Sequence, residues 1–214
     1  MNKKIDENQL YRAAIKVFAR YGFSRTRMGD VSAALDLAAG TIYRYVSDKK
    51  DLYQKTVEFG LREWQAAGIN AMASCDDPLE KLVALVLTGF QYLKAEKDLL
   101  SIMVETPDFL TTSPKEDPYS HIHRESVTLV KEILAAGIEQ KRFRSINTDR
   151  VAESFFTIYM LYIIKIFIKK EGKNTWETVM TGIEIILQGI IHRTVDEDLP
   201  AKFLEKYQAL TEIR

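Results

Sequence analysis

The chain has 214 residues, 46% of them hydrophobic, which fits one medium globular domain or two small ones with a proper core. Its formal charge is zero, yet residues 1–62 hold twelve basic against seven acidic side chains, so that segment carries +5 and the remainder −5, an asymmetry that turns the N-terminal part toward a polyanion. Cys75 is the single cysteine, which excludes an internal disulfide and suits a reducing cytoplasm.

The opening MNKKIDENQL turns polar without the apolar core of a secretory leader. Asp6 and Gln9 have capping-box spacing, and Leu10, Ala13, Ala14, Val17, Phe18 and Tyr21 recur at three and four, which predicts a first helix that stops at Gly22. Thr26 is placed to cap a second helix carrying Met28, Val31, Ala34 and Leu35, and Asp36 suits the left-handed backbone of a tight turn. A third helix is expected over about Ala38 to Val46. Asp48 and Asp51 favour a fourth start, and Leu52, Val57, Leu61 and Trp64 carry that pattern toward Met72.

CDDP at 75–78 interrupts the pattern, and Pro78 suits the first turn of a helix carrying Leu82, Leu85, Val86, Gly89, Phe90 and Leu93. TPDFLTTSPKEDP, with three prolines, predicts a loop at 106–118. Beyond it come a helix near Tyr119 to Gln140, the link KRFRSINT, an apolar helix from about Asp149 to Lys170, and another near Thr175 to His192. The apolar run FFTIYMLYIIKIFI at 155–168 is broken by Lys165 and falls short of the roughly 18 residues of a membrane span. It reads as a buried helix, hydrophobic nearly all round, that needs partners on more than one face.

The last helix shows two sides. Trp176, Val179, Met180, Ile183, Leu187, Ile190 and Ile191 form an apolar stripe, while Thr178, Gly182, Ile185 and Gly189 form a smoother side that a second helix can approach closely. A two-fold helix-pair interface between protomers is the preferred reading, with burial inside one chain as the alternative. No strand-like alternation is present, so the fold class is all-α: an N-terminal three-helix head followed by a C-terminal helical bundle, divided as 1–50 and 51–214.

Two short helices joined by a tight turn, the second opening on small side chains, fit a helix-turn-helix that lays its second helix in the major groove. Leu37, Ala38, Ala39 and Gly40 let the helix start descend to base edges, where the methyl groups of Ala or of Thr41 can meet thymine methyls. Tyr43 and Tyr45 offer hydroxyls to phosphates, and Arg44 has the planar fork that reads guanine or clamps a phosphate. Thr26 and Arg27 stand at a helix start whose free amides suit a phosphate, and Lys49 does the same one helix later. Ile42 reads as core, and the competing structural reading would leave Tyr43 and Tyr45 in the core as well.

Thr26-Arg27-Met28-Gly29-Asp30-Val31 and the run GTIYRYVSDKKDL from Gly40 to Leu52 resemble the TetR family of bacterial transcriptional regulators. The specific match covers about residues 8–55. Asp36 stands where the family's turn commonly has Gly, Ala38 where a Ser often caps, and Val46 where an aromatic is usual; Ala39 replaces a frequently polar or basic side chain. These departures shift expected base reading toward Arg44 and Tyr43. The resemblance implies a homodimer that binds a palindromic duplex operator, is released by a small molecule held in the C-terminal domain, and represses transcription.

Trp64, Phe90, Phe155, Phe156, Tyr159, Met160 and Tyr162 are candidates to line an apolar cavity with hydroxyl handles, which leans toward an apolar or aromatic effector. His121 and His123 are two apart and point to different helix faces, so no metal or cofactor is expected. Glu105 and Asp108 lack any fixed geometry for acid and base work, Cys75 has no triad partner, and no enzyme is expected. The rival reading is a helical binding or scaffold protein whose head no longer reads DNA.

Overall fold

A computed structural model describes residues 5–105, 118–168 and 173–191 of the chain. The described residues are helical, with no named strand among them; one isolated antiparallel bridge joins Phe143 to Ile191. The expected loop at 106–118 lies outside them except for Pro118, as do Asp108, His192 and the side chain of Trp176.

Helix α1, Glu7–Arg25, begins where Asp6 accepts the Asn8 N–H at 3.3 Å, and it buries Leu10, Tyr11, Ala14, Val17 and Phe18. Gly22, at φ 74 and ψ 159, breaks the helical geometry as the sequence predicts, and residues 23–25 form a further turn beyond it. Helix α2, Met28–Ala34, starts differently from expectation. Thr26 closes α1 instead of capping α2: its hydroxyl donates to Gly22 O at 2.8 Å, and it is buried. The Arg27 N–H at the mouth of α2 is satisfied by the Asp30 carboxylate at 2.7 Å, so the chain uses an acceptor from inside the helix and leaves Thr26 free to lock the preceding turn.

Asp36 takes the left-handed conformation, φ 54, that the sequence assigns to it. The next element is a 3-10 helix, Ala39–Arg44, in place of the expected α-helix from Ala38 to Val46. Two features favour the tighter winding. Ala38 has no cap side chain, and Gly40 and the β-branched Thr41 and Ile42 weaken α propagation. Its bonds run from Thr41 N–H to Ala38 O at 2.8 Å and from Tyr45 N–H to Ile42 O at 2.9 Å.

Helix α3, Lys49–Met72, is opened by two aspartates: Asp48 accepts the Asp51 N–H at 2.8 Å, and Asp51 accepts the Ser47 N–H at 2.8 Å. Helix α4, Pro78–Ala95, has Pro78 in its first turn as expected, with Asp77 accepting from the N–H groups of Leu79 and Glu80. Helix α5, Lys97–Val104, has no counterpart in the sequence reading, although Leu99, Ile102 and Met103 bury at helical spacing. Helix α6 spans Ser120–Glu139, and α7, Thr148–Ile163, is capped by Asn147 and passes into a π turn, Ile164–Ile168. Helix α8 spans Lys173–Ile190.

Contacts group the described residues into two compact units, one running to Trp64 with Ala95–Ile122 added, the other formed by Gln65–Lys94 and the residues from His123 onward. That grouping differs from a cut at residue 50, because α5 returns to pack on α1. In the first unit Tyr53 donates to Ile102 O at 2.7 Å, and its ring meets Phe18 and Phe23 edge-on, both at 4.9 Å between centroids. In the second unit α4 buries ten residues and is the central element, each full-sized aliphatic or aromatic side chain contributing about 1.5 to 3 kcal/mol by burial.

Helix α7, expected to need partners on more than one face, is buried in part within the single chain. Ala152, Phe155 and Ile163 are buried, but Leu161 is 49% exposed. On α8 the expected apolar stripe is inside at Val179, Ile183, Leu187, Ile190 and Ile191, whereas Ile185 on the smooth side is 63% exposed. Gly182 belongs to neither description, because the Tyr162 hydroxyl of α7 fills the space that a Cβ there would take.

Candidate nucleic-acid interface

Ile42 and Val46, four apart, are both buried and moor the 3-10 segment to the head, and Thr41 is buried beside them. The opposite side faces outward with Ala38, Gly40, Tyr43 and Arg44, Tyr43 being 55% exposed. A Cβ built on Gly40 would meet nothing within 4 Å, so this end is open to an approaching surface. Ala39 lies on the same segment, and its side chain falls outside the described residues. The small, bare start and the aromatic and basic finish inferred from the sequence are therefore a surface, with Ile42 as its core-facing anchor.

The remaining candidates divide by what their polar atoms already do. Arg27 is exposed at the start of α2. Thr26 is buried with its hydroxyl on Gly22 O. The Tyr45 hydroxyl accepts the Ile5 N–H and donates to Ile5 O, both at 3.2 Å. Lys49 donates to Phe23 O at 2.8 Å and Ser24 O at 3.2 Å, with its ammonium 4.6 Å from the centre of the Phe23 ring. These three groups fasten the edges of the head, and their hydrogen-bonding atoms face protein.

Braces absent from the sequence reading complete this frame. Lys55 donates to Tyr45 O at 3.0 Å and pairs with Asp51 at 3.3 Å, four residues before it on α3; that spacing was the signal available in the sequence. The Ser47 N–H, first, holds the Asp51 carboxyl below its ordinary value; burial opposes it, and the Lys55 ammonium adds to the lowering. Glu105 accepts the Phe23 N–H at 3.4 Å, a contact between positions 82 apart that no local pattern signals. Arg25 and Lys50 are exposed near the segment's two flanks in sequence and add to its positive charge. On the far side of α1, burial and then Glu7 push the Tyr11 hydroxyl up to about 12.

The candidate effector residues are placed as follows. Phe90 and Tyr159 meet edge-on at 5.2 Å, with Phe167 tilted against Phe90 at 6.4 Å. Phe156 lies against His123 at 5.6 Å, Phe155 is buried, Met160 is partly buried, and Tyr162 is against Gly182. Trp64 belongs to the other compact unit. Among the described residues no cluster of three or more His, Cys, Asp or Glu side chains could hold a metal, and no helix is long and apolar enough to cross a membrane.

Residues 10–56 match the family model described as bacterial regulatory proteins, tetR family. The HTH-type transcriptional repressor KstR2 of Rhodococcus jostii is 24% identical over 190 residues, covering 85% of this chain and 89% of its own. Among solved structures, the regulator FadR from Bacillus subtilis in complex with stearoyl-CoA superposes with a TM-score of 0.70 at 16% identity, covering 87% of this chain and 100% of the other. The fatty acid degradation regulator FadR from Bacillus halodurans gives a TM-score of 0.69 at 22% identity, covering 86% and 99%. The solved neighbours share the all-helical fold.

Proposed function

From the premise that the chain belongs, through its N-terminal head, to the TetR family of bacterial transcriptional regulators, we propose that it is a repressor which binds a palindromic operator as a homodimer and leaves it when a small apolar or aromatic effector binds. Residues 1–50 act as the DNA-binding domain and 51–214 as the effector and dimerisation domain, in the cytoplasm. The observation that carries this reading is the outward edge Ala38, Gly40, Tyr43 and Arg44, mounted on a segment whose Ile42 and Val46 are buried. A rigidly moored surface with a small start and an exposed guanidinium suits base edges, because bidentate readout tolerates little play.

Two such segments enter successive major grooves on one duplex face when they stand about 34 to 36 Å apart. An effector that prefers another spacing lowers operator affinity by its differential affinity for the two shapes, and by no more than that. Support for an apolar effector comes from the aromatic residues of α4 and α7, Phe90, Phe155, Phe156 and Tyr159 among them, and from the stearoyl-CoA bound by the FadR neighbour. Candidate contacts to DNA are Arg27, Ala38, Ala39, Gly40, Tyr43 and Arg44, with Thr26, Thr41, Tyr45 and Lys49 acting by holding them in place.

The test is binding to duplex DNA against salt. Six to ten phosphate contacts give a loss of about 10³ to 10⁵ in affinity between roughly 50 and 200 mM salt. A flat response would instead support a helical scaffold that has lost DNA recognition.

A further inference from the structure

Residues 39–44 are wound as a 3-10 helix, and that winding decides which side chains point outward. At three residues per turn, positions three apart lie in one row, and neighbouring rows stand about 120° apart. Ile42 is wholly buried, and Tyr45, next in its row, has its hydroxyl on Ile5. Thr41 is buried in a second row, which ends at exposed Arg44. With two rows anchored inward, the third points directly away from the head. It holds Gly40 and Tyr43, both exposed, with open space where a Gly40 Cβ would stand. Three residues of 3-10 rise put the two roughly 6 Å apart along the axis, whereas α winding would also turn them about 60° away from each other.

We propose, resting on the DNA-binding reading above, that Tyr43 is a specificity-determining residue that reads thymine through its ring. The C5-methyl group of thymine is the apolar feature of the major groove, and an aromatic side chain meets it by contact. Arg44, in the Thr41 row, leaves the segment to one side, while Tyr43 stands on the outermost row and leads into the groove. Gly40, with no side chain, leaves room in that row for a base edge to come up against the ring. Arg44 reads by hydrogen bonds and Tyr43 by apolar contact, so adjacent rows read two different features of the base pairs.

The probe is a duplex that the wild-type chain selects from a random pool, with each thymine on either strand replaced in turn by deoxyuridine, which keeps the base pairing and removes only the methyl group. One buried methyl corresponds to roughly fourfold in affinity, so the wild-type chain loses about that much at one thymine of a half-site. Tyr43→Phe keeps this dependence, because the ring is retained. Tyr43→Ala binds the thymine duplex more weakly and no longer distinguishes it from the deoxyuridine duplex, as a coupled pair requires. Unfolding curves matching wild type identify these as binding effects. Equal wild-type binding to every deoxyuridine duplex would overturn the thymine reading while leaving DNA binding intact. A methyl dependence that survives Tyr43→Ala would overturn the role of Tyr43, and Tyr43→Phe as weak as Tyr43→Ala on both duplexes would assign its hydroxyl to a phosphate in place of the ring. A wild-type chain that selects no duplex overturns the DNA-binding reading and the thymine reading together.

Discussion

The 3-10 segment of the head and the α7–α8 pair put their side chains to different uses. In the head, the polar groups of Thr26, Tyr45, Lys49 and Asp51 are engaged with backbone atoms, and Tyr43 and Arg44 face outward from that frame. In α7 and α8 two large apolar side chains, Leu161 and Ile185, are exposed among polar ones such as Glu153, Thr157, Glu177 and Gln188. A polar side chain near a binding surface is often there to hold the backbone, because a buried donor or acceptor left unpaired costs about 1 to 3 kcal/mol. An aliphatic side chain in water has no hydrogen bond to offer, so Ile185 can be tested for contact with a second copy by giving it a charge.

The contrast breaks most completely at Ile42. Ile42→Ala removes a wholly buried side chain and destabilises the head by about 2 to 5 kcal/mol, read as a lowered denaturant midpoint together with loss of DNA binding. Ile185→Asp tests the other region: the folded chain keeps its helicity, while sedimentation shows monomers where wild type gives dimers, and operator affinity drops to that of a single half-site. An unchanged sedimentation profile would remove α8 from the interface.

Arg44→Ala sharpens the difference between reading and holding. It weakens operator binding by about 1 to 3 kcal/mol and relaxes preference at one base position, while the melting temperature stays within error. Gly22→Ala does the reverse. Its left-handed φ of 74 strains an L side chain by about 1 to 2 kcal/mol, and the new Cβ would lie 3.3 Å from a Glu105 carboxylate oxygen, so stability falls while base preference is retained. The smallest effect is alkaline. Because Tyr11 is raised from 10.0 to about 12, its contribution to stability is complete below pH 10 and is lost as pH rises toward 12, a slope that Tyr11→Phe abolishes in unfolding curves.

Much of the head was legible because its signals are local. The stop at Gly22, the left-handed Asp36, the buried Ile42 and the Pro78 start each depend on one residue's own conformational preference or on spacing within one helix. The misreadings share a different cause. Thr26 fits a helix cap by sequence, but its hydroxyl turns back to the Gly22 carbonyl that its own N–H also bonds, and Asp30 met the need of Arg27 from the other side. The third helix had an apolar anchor in the right place, but the missing cap at Ala38 and the weak α formers Gly40, Thr41 and Ile42 leave it as a 3-10 turn. Helix α5 was missed because eight residues between a longer helix and a proline-rich stretch carry too little periodicity to stand alone.

By itself the sequence determined the helical class, the placement of most helices, the mooring of the head through Ile42, and the head's match to a regulator family model over residues 10–56, since these come from periodicity, caps and a dense local motif. Tertiary structure alone decided which polar side chains remain available: Tyr45 bonds a residue 40 positions away and Phe23 meets Glu105 across 82. A hydroxyl or ammonium has the same chemistry in either setting, and only proximity in space determines whether it finds its partner in the protein or in the DNA.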